Sequence, residues 1–380
     1  MAVKSTIFSR CNYFNSAFDG AQDHYLTLQC SINPETILHI PRVLYHWRKA
    51  EGSTATSSDN KSYANKAGLL IVDTYLKNND INGIAIPGNK PYSYFVKYNM
   101  ENNSSITAIL DATSNIGNTS ITLKTIDLLL DINDLEVIVI CHPQNMRKFK
   151  PLNKTAKKAK IIEIQPKDNK SYIINKYVKT LKSKFILFLD SNIQIINKET
   201  IQELLGRIQR KDVGAVGPMI VYPDDTIASS GICVNLPKPS HISRGYAKTA
   251  PGYMSLNNCE QNLSAISGIC MMTSKENFIN AGGFNLEYEH HYSDIDYCLK
   301  LRDRGKLIIY TPTISVTYNG EFLINTYKNR KYQLEELKDR SKLIKNWSDF
   351  FLKGDPYINE NFGNSSLGSF YYLPKTYTIY

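Results

Sequence analysis

Asp190, Ser191 and Asn192 follow directly on Phe185-Ile186-Leu187-Phe188-Leu189, the strongest candidate for a buried strand in the chain. A polar cluster at the carboxyl end of such a strand lies where open α/β sheets bind ligands, because strand ends and neighbouring loops leave a crevice there. Asp190 then has two readings. It can ligate Mg2+ or Mn2+ through hard oxygens shared with a diphosphate, or it can be a turn residue that satisfies a local backbone donor. A second acidic cluster is Ser293-Asp294-Ile295-Asp296-Tyr297. On a helix the i,i+2 offset points Asp294 and Asp296 about 200° apart, so one can face a cleft while the other accepts supporting hydrogen bonds. An Asp at a helix start is commonly a cap, so Asp294 reads either as a base or as a cap. Gly282-Gly283-Phe284 allows a close turn but lacks the spacing of a phosphate-cradling fingerprint.

These residues need elements to hold them. Ile106 to Leu110, Leu135 to Ile140, Ile161 to Ile164 and Phe185 to Leu189 read as strands, and Val213 to Val216 begins another. Between them Thr122 to Leu130, Tyr172 to Leu181 and Lys198 to about Gln209 have helical spacing, the last capped by Asn197. Short apolar runs alternating with amphipathic helices predict a three-layer α/β domain around a mostly parallel sheet covered on both faces. Upstream, Ile37-Leu38-His39-Ile40 is a strand-like run, residues 51–60 form a polar loop, and Tyr63 to about Lys77 reads as a helix.

Composition narrows the class of protein. The chain has 380 residues, 42% hydrophobic and 21% charged, which excludes global disorder and fibrous repeats. No run approaches the roughly 20 apolar residues of a membrane span. MAVKSTIFSRCNYF carries no signal-peptide h-region, so a cytoplasmic location is expected. The seven cysteines, at 11, 30, 141, 233, 259, 270 and 298, form no CxxC pair and no zinc spacing, and they read as buried reduced thiols. The net charge of +10 is concentrated between Arg147 and Lys184, where 13 basic residues face only Glu163 and Asp168. That stretch is either an anion-attracting face or an ordinary solvated one. Nucleic acid is not expected, since Phe149, Tyr172 and Tyr177 make no recognised RNA-binding motif.

The order AVGPMIVYPDDTIASSGI at 215–232, AISGICMMTSKENFINAGGFN at 265–285, SDIDYCLKLRDRG at 293–305 and IIYTP at 308–312 resembles family 2 glycosyltransferases of the GT-A type, in particular the bacterial transferases that build O-antigen and other surface polysaccharides. The resemblance covers about 105 to 355, including Asp355-Pro356-Tyr357. It implies that Asp294 is the catalytic base, with Asp296 in support. The motif that holds the donor diphosphate through a divalent cation falls on Asp190-Ser191-Asn192, so its last carboxylate is here an amide. The metal-binding histidine falls on Tyr318. The position that reads the nucleotide base carries Cys141 followed by His142, and Asp111 stands where this subclass usually has proline before its nucleotide-contacting loop. Weak binding of Mg2+ or Mn2+ is the resulting expectation.

FDGAQDHYLTLQ followed by ILHIPRVLYHWRKAEGSTA resembles the last third of a GT-A domain a second time. There Asp23 matches the base, Tyr25 replaces the later Asp, and His46 matches the metal-binding histidine. The chain therefore resembles a truncated tandem enzyme. Expected are a partial GT-A remnant at 1–57, a helical linker at 58–103, a GT-A-like domain at 104–355 and a tail at 356–380. Asp23 and His46 read as residual structure, as surface and packing residues, or as half of a site completed by a separate upstream glycosyltransferase polypeptide.

The activity that the resemblance implies is transfer of a sugar from a nucleoside-diphosphate sugar to a hydroxyl of a glycan or lipid-linked glycan. It would proceed with inversion, in lipopolysaccharide or other surface-glycan assembly, in the cytoplasm or peripherally at the inner face of the membrane. The departures at the donor and metal positions keep a second expectation open, a catalytically impaired protein with a carbohydrate-binding or complex-assembly role.

Overall fold

The computed structural model describes residues 2–11, 13–32, 37–38, 40, 42, 44–45, 62–101, 104–113, 119–149, 159–194, 197–320, 330–359, 362–364 and 370–372. The chain falls into two compact units, Met1–Asn99 and Met100–Tyr380.

In the first unit, helices α1 (Ser5–Arg10), α2 (Gln22–Ile32) and α3 (Ser62–Asn78) precede an antiparallel hairpin of β1 (Gly83–Pro87) and β2 (Tyr94–Tyr98). Ala67 and Ile71 are one turn apart on α3, so they share a face. That face is buried against Phe18 and Ala21, with Tyr25 and Leu28 packed alongside. Asp73 accepts the Ala85 N–H at 2.7 Å and ties α3 to the hairpin. The strand-like run at 37–40 is corrected: Ile37, Leu38 and Ile40 lie outside any strand and are exposed. Among the described residues no strand pairs with them. Asp23 sits in the first turn of α2, exposed, with its carboxylate accepting the His24 N–H. His46 lies outside the described residues.

The second unit is built on β3 (Ile106–Ala112), α4 (Thr119–Leu130), β4 (Leu135–Cys141), α5 (Pro143–Met146), β5 (Lys160–Glu163), α6 (Lys170–Thr180), β6 (Phe185–Asp190), β7 (Ile193–Gln194) and α7 (Lys198–Ile208). The chain continues through β8 (Val213–Val221), β9 (Ile227–Ser229), β10 (Ile232–Cys233), β11 (Ser240–His241), β12 (Gln261–Asn262), β13 (Cys270–Ser274), α8 (Lys275–Asn280), α9 (Ser293–Asp303) and β14 (Leu307–Tyr318). It ends with α10 (Arg330–Asn346), α11 (Ser348–Lys353) and a short antiparallel pair, β15 (Phe362–Asn364) and β16 (Phe370–Tyr372). Among the described residues no helix is long and apolar enough to cross a membrane.

Strand side chains alternate faces, and the core follows that period. Ile106, Ala108 and Leu110 of β3, with Phe185, Leu187 and Leu189 of β6, pack under Ile126 and Leu129 of α4 and Ile201 and Leu204 of α7. Ile109, Ile186 and Phe188 point the other way, toward Ile174 of α6, Phe278 of α8, Tyr297 of α9, Leu343 of α10 and Phe351 of α11. The result is three layers with a sheet buried on both sides, which is why its strands are nearly continuous in apolar residues.

The main sheet runs β12-β14-β8-β13-β6-β3-β4-β5, with β7 on β14 and β9 on β8. The expected mostly parallel sheet is corrected here to a mixed one. β6, β3, β4 and β5 pair in parallel, as do β8 and β14, but β13 is antiparallel to both β6 and β8. The reason lies in the connection. The chain leaves β8 at the carboxyl edge and re-enters the sheet from that edge, with Cys270 beside Leu189, so no crossover intervenes and β13 must run back.

Asn197 caps α7 by accepting the Thr200 N–H at 2.9 Å. Asn197→Ala is expected to destabilise the second unit by about 1 kcal/mol, since one first-turn donor loses its partner. Chemical denaturation that shows no shift in midpoint would exclude this cap as a stabilising feature.

Candidate functional site

The parallel register of β3 and β6 sets Asp111 directly beside Asp190 at the carboxyl edge. Asp190 Oδ1 accepts both the backbone N–H and the side-chain amide of Asn192, at 2.8 and 3.0 Å. The Asn192 amide thus donates to the aspartate rather than standing beside it as a second oxygen. Asp111 Oδ1 accepts the Thr113 N–H at 3.0 Å and its hydroxyl at 2.6 Å, while Oδ2 meets the Lys170 ammonium at 2.5 Å.

Asp294 enters from α9, far along the chain. Its Oδ2 accepts the Gly268 N–H at 2.7 Å and its Oδ1 accepts the Ile295 N–H at 2.9 Å. One residue on, the Ile269 carbonyl accepts the Asp190 N–H at 2.9 Å. The 268–269 turn before β13 therefore holds the carboxylate of Asp294 and the main chain of Asp190. Gly268 permits this closeness: a Cβ there would lie 3.0 Å from the Cβ of Asp294 and 3.2 Å from its Oδ2. Tyr292, two residues before Asp294, has a left-handed backbone (φ 66°), which L residues with side chains seldom adopt.

Asp111, Asp190 and Asp294 line a cavity of about 590 Å³ together with Lys170, His142, Lys238, His241, His290, His291, Tyr292 and Tyr318. A smaller recess of about 190 Å³ shares Asp111, Lys170, Asp190 and Asp294. Burial raises the Asp190 carboxyl to about 6, and the Asp111 charge adds to that rise. Burial also raises Asp294, against the hydrogen bonds from Gly268 and Ile295. For Asp111 burial acts upward too, but the Lys170 ammonium and Thr113 outweigh it and hold the carboxyl below its ordinary range. His142 places Nδ1 2.9 Å from the Ile164 carbonyl, which can only accept, so Nδ1 is the donor in that bond. Burial lowers His241 to about 3, so it is neutral at ordinary pH, with Nδ1 2.9 Å from the Ser229 hydroxyl.

The remaining sequence candidates lie elsewhere. Cys141 is fully buried in the core with Met146, and burial pushes its thiol up to about 11. Asp296 points away from the cavity. It pairs with Lys300 at 2.7 Å and accepts the Trp347 indole N–H at 3.0 Å, so it fastens α9 to the C-terminal helices. Tyr318 lines the cavity as a neutral phenol, since burial raises it well above its ordinary value.

Lys170 is the functional candidate that sequence reading missed. It opens α6, where the helix macrodipole disfavours a cation. A lysine at that position, directly after the Asn169 cap, breaks a local rule, and such breaks mark tertiary purpose.

A divalent ion is the group that the family resemblance implies, and the residues present suit it poorly. Among the described residues no group of three or more His, Cys, Asp or Glu could hold a metal. Asn192 turns its NH2 toward Asp190, and Tyr318 is an un-ionised phenol. An ammonium already occupies the field of the carboxylates.

No family model matches the chain. The uncharacterized protein y4gI of Sinorhizobium fredii is 28% identical over 310 residues, covering 79% of this chain and 34% of that protein. The O-antigen biosynthesis protein RfbC of Myxococcus xanthus is 22% identical over 321 residues, covering 82% of this chain and 25% of that protein. The chain thus spans about a third and a quarter of the length of these two relatives. Among solved structures, the mannosyltransferase PcManGT from Pyrobaculum calidifontis, in complex with GDP-Man and Mn2+, aligns with a TM-score of 0.43 at 12% identity, over 77% of this chain and 74% of that one. GalNAc-T7 with UDP, GalNAc and Mn2+ aligns with a TM-score of 0.45 at 11% identity, over 70% and 53%.

Proposed function

We propose that the second unit is a GT-A-type glycosyltransferase domain that transfers a sugar from a nucleoside-diphosphate sugar to a hydroxyl of a glycan or lipid-linked glycan in surface-polysaccharide assembly. The observation that carries this reading is the 268–269 turn. It ties a strand-end aspartate, Asp190, and a helix-start aspartate, Asp294, into one cavity large enough for a sugar nucleotide. The ordered motif series from 215 to 312 supports it, and the relationship to RfbC supports the surface-glycan context.

In this reading Asp294 removes the proton of the acceptor hydroxyl as its oxygen bonds to the anomeric carbon. The bond from that carbon to the diphosphate oxygen breaks with its electron pair, and the nucleoside diphosphate departs. One direct displacement inverts the anomeric configuration. Asp294 suits a base because its two backbone hydrogen bonds fix its orientation while burial raises its proton affinity. Asp296 holds the helix that presents it.

The Asn192 amide donating to Asp190 favours a second reading, a domain that binds sugar or nucleotide without turning it over. One experiment separates the two. The full chain is incubated with a panel of UDP-, GDP-, ADP-, CDP- and dTDP-sugars, and both hydrolysis and transfer are followed by release of the diphosphate. Release from at least one donor, lost in Asp294→Asn, is the expected result. Binding without release by any donor would replace transfer with the binding role, and binding of none would end both readings.

A further inference from the structure

We propose that the Lys170 ammonium, held by Asp111, is the cation that receives the donor diphosphate in this cavity, where a divalent ion would otherwise serve. The inference rests on the nucleotide-sugar reading of the site and assigns its charge partner.

Three observations carry it. First, Lys170 and Asp111 both line the cavity and its adjoining recess, as do Asp190 and Asp294. Burial works against the ammonium, but Asp111, Asp190 and Asp294 outweigh it, so the charge is kept. An ammonium in that field competes with any divalent ion drawn by the same carboxylates. Second, its geometry leaves capacity. An ammonium has three donors, and Asp111 is its only hydrogen-bond partner among the described residues, so two donors remain for phosphate oxygens. Third, most of the carboxylate oxygens a metal would need are engaged otherwise. Asp190 Oδ1 accepts twice from Asn192, both oxygens of Asp294 accept backbone N–H groups, and Asp111 holds the lysine. Octahedral oxygen coordination, which Mg2+ demands, has few free ligands to draw on.

The cluster is also locally improbable, which argues that it serves a purpose. Lys170 stands at the positive end of an 11-residue helix, and Asp111 supplies the compensating charge from 59 residues away. With Asp111 fixing one N–H, the other two are oriented by the same bond. Lysine acts on phosphate as a point charge through short charge-assisted hydrogen bonds. The 2.5 Å contact to Asp111 anchors the side chain from one side and leaves its cavity side for the anion.

The test uses the full chain, with UDP, GDP, ADP, CDP and dTDP as probes in calorimetric titrations. Each is titrated in EDTA and again with Mn2+. The diphosphate that binds is expected to do so with affinities agreeing within about twofold in the two conditions. Lys170→Met is expected to weaken that binding about tenfold or more, the scale of one lost charge-assisted contact. Lys170→Arg, which keeps the charge and the pair with Asp111, is expected to stay within about threefold of the parent. Circular dichroism and thermal unfolding establish that both variants are folded, and the arginine variant carries the comparison should methionine prevent folding. Affinity that depends on Mn2+ and is indifferent to Lys170→Met would overturn this assignment while leaving the sugar-transfer reading in place. Failure of all five diphosphates to bind under either condition would overturn both.

Discussion

Replacing Asp294 by asparagine is expected to lower turnover about a hundredfold or more while leaving the fold in place. The carboxylate is the cavity group oriented by two backbone N–H donors, from Gly268 and Ile295, and its proton affinity is raised by burial. An amide has nearly the same shape but cannot take a proton from the acceptor hydroxyl, and loss of general-base assistance is worth about two to four powers of ten. The variant keeps one oxygen to accept an N–H, so its stability should fall modestly, on the order of 1 kcal/mol. The same raised proton affinity sets a pH dependence. Activity requires the ionised carboxylate, so kcat/KM of the parent protein should fall as pH drops toward an Asp294 value that burial has raised above its ordinary one. The measurement is kcat/KM against pH for parent and variant, with a donor that supports release. Parent-like turnover in a folded Asp294→Asn protein would remove Asp294 from the base role. Extensive unfolding of the variant would instead identify the side chain as a structural cap.

The second large effect is expected at Asp339, a residue outside the cavity. It is almost fully buried on α10, and its Oδ2 accepts the backbone N–H groups of Glu289, His290 and His291 at 3.1, 2.9 and 3.0 Å. Those three residues lead into the left-handed Tyr292 and then Asp294, so one carboxylate shapes the turn that delivers the base. Asp339→Ala leaves three part-buried donors without their acceptor and should cost on the order of 2 kcal/mol. It should also impair turnover, because the cavity wall carrying His290, His291 and Tyr292 loses its support. Burial raises the Asp339 carboxyl, but the three N–H donors and Lys342 outweigh it, so the group is held below its ordinary range. A lowered folded value means that the stabilisation is fully present above the unfolded pKa of about 3.9 and is lost as pH falls through the lower folded value. Urea unfolding of parent and Asp339→Ala should therefore differ most at neutral pH, and the gap should narrow below about pH 4. Equal stabilities at pH 7 would show that water satisfies these donors equally well.

Both effects depend on residues whose roles were legible to different degrees. The run FILFLD announces a buried strand ending in an acid, because uniform apolarity followed by a carboxylate is a local pattern. Asp294 and Asp296 diverge by helical geometry alone, and the structure gives one a place in the cavity wall and the other a contact with Lys300 and Trp347. Nothing in the neighbourhood of Asp339 reveals that it gathers three N–H groups some 50 residues upstream. Lys170 reads from its neighbours as one more charge in a basic stretch.

The alternation of strands and helices in the second unit, the Asn197 cap, the polar strand end at Asp190 and the order of motifs after it are all readable from neighbouring residues. These are written in periods of two and of 3.6 residues and in first-turn donors, all of which act over a few residues. The direction of β13, the pairing of Asp111 with Lys170, and the anchoring of Asp190 and Asp294 on one turn arise from contacts between distant segments. An apolar strand buried on both faces satisfies its hydrogen bonds with a neighbour of either direction, so its composition carries no sign for the sheet. Whether a lysine at a helix start meets solvent or a carboxylate depends on register across the sheet, and that register is fixed by core packing summed over the whole unit.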